Sequence, residues 1–339
     1  AAYGYTGVQG FSSYDALPTF VYYSNLSYNG YIGSYIKGLA NEYLRWQEKY
    51  DTNIGVDFNL FNNRLSGRFD YYIATTKGMV TNVTVPYTTG FTTYVDNLGE
   101  TENKGFEAYL NYKVFDAGRN YVNVFGSVAH NKNTLKKISN SLRAWNEAKD
   151  KDMISNKSTA PSVKYYEGCS MSAIWAVPSL GIDPQNGKEI FVKKDGTVTY
   201  DYDIADQVVC GDTQPKFNGN FGINGEINGW GWNVTMNYRW GGQIYNQTLV
   251  DKVENAQLQY NVDRRVLTDR WQRPGDMALY KAITDNSATK ATSRFVQHEK
   301  RLSMTSLRLA YNMDSDRLRD SWISMLRLSI TANDLFYAS

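Results

Sequence analysis

Residues able to do covalent chemistry are few and scattered in this chain. Of its 339 residues only two are histidines, His130 and His298, and neither has a serine or cysteine placed in a readable catalytic motif. Cys169 and Cys210 share one irregular region, a placement that permits a loop disulfide in an oxidising compartment and equally permits two free thiols. Asp201, Asp203 and Asp206 in YDYDIAD could offer oxygens to calcium. That run lacks the further spaced ligands and the glycine of a calcium loop, so a solvated acidic loop is the expectation. No enzyme, metal site or cofactor is predicted.

The elements that must position any functional group read as strands. In NIGVDFNLFNNRLSGRFDYYI, residues 53–73, Ile54, Val56, Phe58 and Leu60 take every second position, and the alternation resumes at Leu65, Gly67, Phe69, Tyr71 and Ile73. A period of two is a strand, and FNNR between the runs is a tight turn whose asparagines tolerate left-handed backbone. The pattern recurs in KGFEAYLNYKVF before DAGR and NYVNVFGSVAH, in FNGNFGINGEI and GWGWNVTMNYRW around Asn228 and Gly229, and in LSMTSLRLAYN followed by WISMLRLSITAN. With YGYTGVQG at the start, nine strands are expected. Runs of about 10 to 13 residues exceed the usual soluble strand and approach what a tilted strand needs to cross a bilayer.

Connections alternate between short turns near 61–64, 116–119, 228–229 and 313–322 and long segments near 11–46, 77–98, 132–215 and 242–300. Short turns on one side and long loops on the other are the pattern of an outer-membrane barrel. Within 132–215, NSLRAWNEAKDKDM predicts a helix and EIFVKKDGTVTY a small hairpin around Asp195 and Gly196. Tyr71, Tyr72, Trp230, Trp232, Tyr238, Trp240, Tyr311 and Trp322 are expected towards strand ends, as an interfacial girdle would require.

Composition is compatible with this and excludes other classes. Thirty-six Lys and Arg against 34 Asp and Glu leave a net charge of +2, with no basic patch of the kind nucleic acid needs. The apolar run CSMSAIWAVPSLGI falls short of the roughly 20 residues of a spanning helix. A mean hydropathy of −0.51 decides nothing, because a barrel hides its apolar band in alternate positions. Any export signal is expected upstream of AAYGYTGVQG, and an odd strand number points to one piece of a larger chain.

Several longer stretches resemble a known family. WQEKYDTNIGVDFNLFNNRLSGRFDYYIATTKGM, VPYTTGF, NLGETENKGFEAYL, SLGIDPQNGKEIFVKKDG, TQPKFNGNFG, RWQRPGD, RLSMTSLRLAYNM and LRLSITANDLF stand in the order and spacing of the SusC/RagA class of TonB-dependent transporters of Bacteroidetes outer membranes. The resemblance implies an all-β fold: residues 1–339 as the C-terminal portion of a 22-stranded antiparallel transmembrane β-barrel, with the plug domain and TonB box outside this chain. It implies an outer-membrane importer powered by TonB under a SusD-like lipoprotein lid, assembled as a dimer of SusC–SusD pairs. Oligosaccharides derived from glycans are the expected substrates, and oligopeptides, as in the RagA branch, the alternative. A soluble β-rich binding or adhesion module and a passive porin are the competing classes.

For such a transporter the outer loops matter most, because sugar rings stack on aromatic faces. Tyr87, Phe91, Trp175, Tyr200, Tyr202 and Trp271 are the substrate-contact candidates, each of which could equally pack against its own loop. The inward row, facing lumen and plug, is Arg64, Arg68, Asp70, Glu107, Lys113, Arg239 and Arg327. The apolar rows face lipid.

Overall fold

The structure, a computed structural model, describes residues 1–84, 90–91, 93–97, 99–155, 158–313 and 326–338. Nine strands form one antiparallel sheet: β1 (Ala2–Val8), β2 (Gln47–Leu60), β3 (Leu65–Lys77), β4 (Gly99–Ala117), β5 (Asn120–Ile138), β6 (Phe217–Ile227), β7 (Trp230–Tyr245), β8 (Val296–Met313) and β9 (Leu326–Ala338). Each pairs with its neighbour in the chain, so spatial order equals sequence order. The nine strands expected from alternation are these nine.

Turn chemistry closes the hairpins as the sequence predicts. Phe61, Asn62 and Asn63 all adopt positive φ between β2 and β3, and Asn228 and Gly229 (φ 53° and 87°) make the two-residue turn between β6 and β7. The strands run further at the long-loop end than expected. β4 and β5 each span 19 residues, so 132–138 is strand rather than loop, as are 242–245 and 296–300. Ladder hydrogen bonds cost nothing extra beyond the apolar zone, and the polar alternation of NKNTLKKI continues the pleat. β9 likewise passes through Asn333 to Ala338 instead of ending there, because Asp334 (φ 50°) absorbs a bulge opposite Thr305. The turn expected at 313–322, the start of the last strand and Trp322 fall largely outside the described residues.

Register aligns the two faces across the whole sheet. Phe58 opposes Gly67, Gly67 opposes Leu110, Leu110 opposes Gly126, Gly126 opposes Phe221, and the row continues through Met236, Met304 and Phe336. Leu60, Leu65, Tyr112, Val124, Ile223, Val234, Leu307 and Ala332 form the next row on that face. The opposite face runs Asp57, Arg68, Tyr109 and Ser127. On the first, apolar face the side chains are left open: Ile54 is 55% and Ile330 77% exposed.

That belt has a measurable height. Trp230 and Trp240, each 60% exposed, stand ten residues apart on one face of β7. The separation is about 33 Å along a strand and about 25 Å once the strand tilts by about 40°, the height of a barrel's lipid-facing band. Trp230 packs on Tyr311 with ring centroids 4.8 Å apart. Tyr72 departs from the expected girdle: its parity turns it to the polar face, where its hydroxyl donates to Asn131 Oδ1 at 3.2 Å. No helix among the described residues is long and apolar enough to cross a membrane.

The long segments carry their own structure, all at one end. Segment 9–46 holds a hairpin (Thr19–Tyr28 with Tyr31–Gly38), and 78–98 a short pair (Val80–Thr84 with Thr93–Asn97). Segment 139–216 contains α1 (Asn140–Ser155), the pair Ala173–Ala176 with Val208–Asp212, and a three-stranded sheet of Ser179–Ile182, Glu189–Val192 and Val198–Thr199. Helix and hairpin sit where the sequence places them, Gly196 at φ +85° turning the latter. Segment 246–295 wraps a small core of Leu249, Val250, Val253, Val266, Tyr280 and Phe295.

Candidate functional site

On the polar face of the sheet, charges and amides are tied to one another. Arg68 Nε donates to Asp70 Oδ2 at 2.6 Å and lies 3.7 Å from Asp57 Oδ1. Gly55 makes this possible, since a Cβ there would come within 2.5 Å of Asp70 Oδ1. Asn53, Arg68, Asp70, Tyr72, Glu107 and Ser127 line a shallow cavity of about 410 Å³. An amide ladder crosses the strands: Asn131 and Asn133 donate to Asn103 Oδ1 at 3.2 and 3.0 Å, and Asn123 donates to Asn224 at 3.1 Å. Arg239 pairs with Glu299 at 3.6 Å, and Lys113 with Asp116 at 3.3 Å. Arg327 opposes Asn312, whose Nδ2 donates to Glu226 at 2.9 Å. Register puts Arg68, Asp70, Glu107, Lys113, Arg239 and Arg327 on this one face, whereas Arg64 closes the β2–β3 turn at the far end.

The aromatic loop candidates separate by burial. Trp175 is only 9% exposed, packs at a tilt against Tyr166 (ring centroids 4.9 Å apart) and donates its indole N–H to the Lys164 carbonyl at 3.1 Å, so its face is closed to a sugar. Trp271 lies over Gly187, where an added Cβ would meet the ring at 2.6 Å, and donates to the Pro184 carbonyl at 2.9 Å. Tyr202 meets Phe191 edge-on at 5.6 Å and accepts from Gln207. These three hold the loops together. Tyr200 remains 49% exposed, its hydroxyl donating to Asp183. That bond lowers the Asp183 carboxyl and raises the Tyr200 phenol relative to their ordinary values. Phe91 lines a cavity of about 680 Å³ with Tyr14, Phe20, Lys37 and Tyr94. Tyr87 lies outside the described residues.

Cys169 and Cys210 are free thiols in the structure, the second of the two options that their placement leaves open. The Cys169 carbonyl accepts from Leu135 N at 2.9 Å, tying it to β5, while the Cys210 thiol donates to the Ala176 carbonyl at 3.4 Å. Burial pushes both thiols up in pKa, away from reactivity. The acidic run serves backbone: Asp203 caps Ala205 N at 2.8 Å and Asp206 accepts from Lys194 N at 3.1 Å. His130 is held between Phe106 and Phe217, and its Nδ1 donates to the Lys216 carbonyl at 2.6 Å.

Sequence reasoning missed a second loop cavity, of about 540 Å³, formed by Thr159, Asp251, Asn255, Gln257, Tyr260 and Asn286, with Asn261 and Asp263 at its edge. Its signal was the amide-rich run NAQLQYNVD. Arg265 grips Asp263 through Nε (2.9 Å) and Nη2 (2.7 Å), which holds that carboxyl down at about 2. Behind it, Arg294 bridges two segments, reaching Glu189 at 2.9 Å and Glu254 at 2.6 Å. Burial opposes the Arg294 charge, but the two carboxylates outweigh burial and raise its pKa.

No family model matches the chain. TonB-dependent receptor P39 of Formosa agariphila is 24% identical over 375 residues, covering 99% of this chain and 36% of that protein. TonB-dependent receptor SusC of Bacteroides thetaiotaomicron is 26% identical over 165 residues, 48% of this chain and 16% of that one. Among solved structures, the RagAB peptide transporter superposes with a TM-score of 0.80 at 20% identity, over 99% of this chain and 36% of that one. The chain thus spans about a third of the length of the receptor P39 it matches from end to end.

Proposed function

We propose, starting from a chain that is SusC/RagA-like and shares the fold of a TonB-dependent transporter barrel, that the intact protein imports oligosaccharides across the outer membrane. The chain would supply the C-terminal portion of the barrel wall. A SusD-like lipoprotein would close it from outside, and TonB would act through a plug carried elsewhere in the protein; two such pairs would assemble as a dimer. Relatives of this kind are receptors and transporters rather than enzymes.

The observation that carries the reading is the two-faced sheet: an apolar belt about 25 Å high backs a face of ion pairs and amides, with every long segment at one end. Neutral polar groups around Tyr260 favour sugars, since Asn255, Gln257, Asn261 and Asn286 can exchange hydrogen bonds with hydroxyls and Tyr260 offers a ring face. Tyr200 and Phe91 remain contact candidates, whereas Trp175, Tyr202 and Trp271 serve as loop supports.

Titration of the purified complex, reconstituted with its lid, against oligosaccharides tests the proposal. Absence of binding, or growth on that glycan undiminished by deleting the TonB box, would sink it. The second reading is oligopeptide import, the activity named for the RagAB transporter of the same fold. Saturable peptide binding without sugar binding would put it first.

A further inference from the structure

Above the belt, on the same face and at the long-loop end, the sheet carries a band of lysines. Lys104 and Lys132 are directly opposed in the β4–β5 register, and both are exposed. Like charges so placed repel each other and weaken the pair. Glu102, one row further out, pairs with Lys104 at 3.1 Å and Lys136 at 3.0 Å. Lys132 makes no ion pair or side-chain hydrogen bond among the described residues. Lys300, opposite Trp240 and one row lower, adds a further cation to this face on β8.

Two rows beneath the opposed lysines, below the Phe106–His130 pair, the belt is shallow. Going down β4 and β5, Phe106 opposes His130, Ala108 opposes Val128, and Leu110 opposes Gly126. A Cβ at Gly126 would find nothing nearer than Phe221 Cβ at 3.8 Å, so this position is open. Phe69 and Phe106 on one side and Phe217 and Phe221 on the other stand proud of it. The result is an apolar trough over Ala108, Val128 and Gly126, two rows beneath a lysine pair of which Lys132 has no carboxylate partner among the described residues and Lys104 shares Glu102 with Lys136. The lysine pair stands one row above the Phe106, His130, Phe217 and Trp240 level, roughly 7 Å further along the strand. This is headgroup height if Trp240 marks the interface.

We propose that Lys104 and Lys132, supported by Lys136, seat the phosphate of an anionic outer-leaflet lipid whose acyl chain lies in the Ala108–Gly126 trough. The inference rests on the barrel reading, since only a lipid-facing wall brings a headgroup to this height. A bound phosphate removes the Lys104–Lys132 repulsion, and a chain filling the trough covers apolar surface that the small residues leave bare. The turn end of the same face closes instead in Trp230, Tyr311 and Leu328, so the seat belongs to one leaflet.

The test uses the full transporter, purified from outer membranes in detergent, with retained phosphorylated lipid counted per barrel by native mass spectrometry. Lys104→Gln with Lys132→Gln should lower retention about tenfold or more, by removing two cations' attraction for an anionic headgroup. Lys193→Gln with Lys194→Gln, which removes the same charge from an outer hairpin, should leave it unchanged. A dephosphorylated lipid with the same chains should not be retained by either. Equal retention by both variants in a folded barrel would overturn the inference alone. Recovery of the wild-type chain without detergent, in the soluble fraction, would overturn the barrel reading and this inference with it.

Discussion

Apolar side chains in the last long segment and in the sheet are treated in opposite ways. In 246–295, Val253 and Phe295 are 1% exposed and pack with Leu249, Val250, Val266 and Tyr280 around the Arg294–Glu254 pair. In the sheet, Ile54, Val56, Leu110, Leu309 and Ile330 point outward from a wall one strand thick. Burying apolar surface against protein is how a chain in water is stabilised, so the loop region is built for water. A belt of open apolar rows about 25 Å high would be an aggregation hazard in water, and lipid is the medium in which it is neutral. The difference teaches where open apolar surface gives way to a packed core: between Trp240 on β7 and the first buried residue of the following segment, Leu249.

The strongest way to break this comparison is in the loop core. Phe295→Ala should cost about 3–5 kcal/mol locally. Hydrogen exchange should then speed through 246–295 while β3 to β5 keep their protection; joint loss would mean that wall and loops are not independent. Next in size is the belt. Phe58 lies in the row midway between Trp230 and Trp240, so Phe58→Arg should cost about 2–4 kcal/mol and reduce the fraction reaching the heat-modifiable barrel form. Normal assembly of that variant would remove the lipid assignment. On the other face, Asp57→Asn should change stability by no more than about 0.5 kcal/mol, since Asp57 is exposed and Asp70 already holds Arg68.

The smallest effect is one of pH. Asp263 is depressed by Arg265 to about 2 in the fold. A depressed carboxylate gives stability that is full above its unfolded value near 3.9 and lost as pH falls through the folded one. Protection factors around Tyr260 to Thr268, the intrinsic exchange rate at each pH divided by the observed one, should therefore be flat from pH 7 to 5 and fall between about 4 and 2. Asp263→Asn should abolish that step.

How much was legible in sequence follows from the range of the interactions. Period-two alternation and the turns at Asn62–Asn63 and Asn228–Gly229 are local, and they delivered the strands, their order and both faces. The helix over Asn140–Ser155 and the hairpin at Gly196 are local as well. Loop packing is not: Trp271 closes over Gly187, and Arg294 reaches back to Glu189 across more than a hundred residues. No pattern within a window reports such pairs, so Trp175 and Trp271 read like Tyr200 in sequence although they do different work. That Arg68, Asp70 and Glu107 share one polar face was readable because parity alone assigns it, and Tyr72 turns to that face by the same parity.

Strand order that matches chain order also bears on how this molecule can vary over generations. Each strand depends on its two neighbours, and a connection on the long-loop side has only to return the chain to the next ladder. Closing a connection costs slowly growing entropy, so going from one the length of 78–98 to one the length of 139–216, roughly fourfold, adds only about 1.2 kcal/mol. The two-residue turns have no such latitude, since a single insertion there would flip every side chain beyond it from one face of the sheet to the other. Selection can thus rewrite what the molecule meets outside at little thermodynamic penalty, while the opposite rim stays nearly frozen.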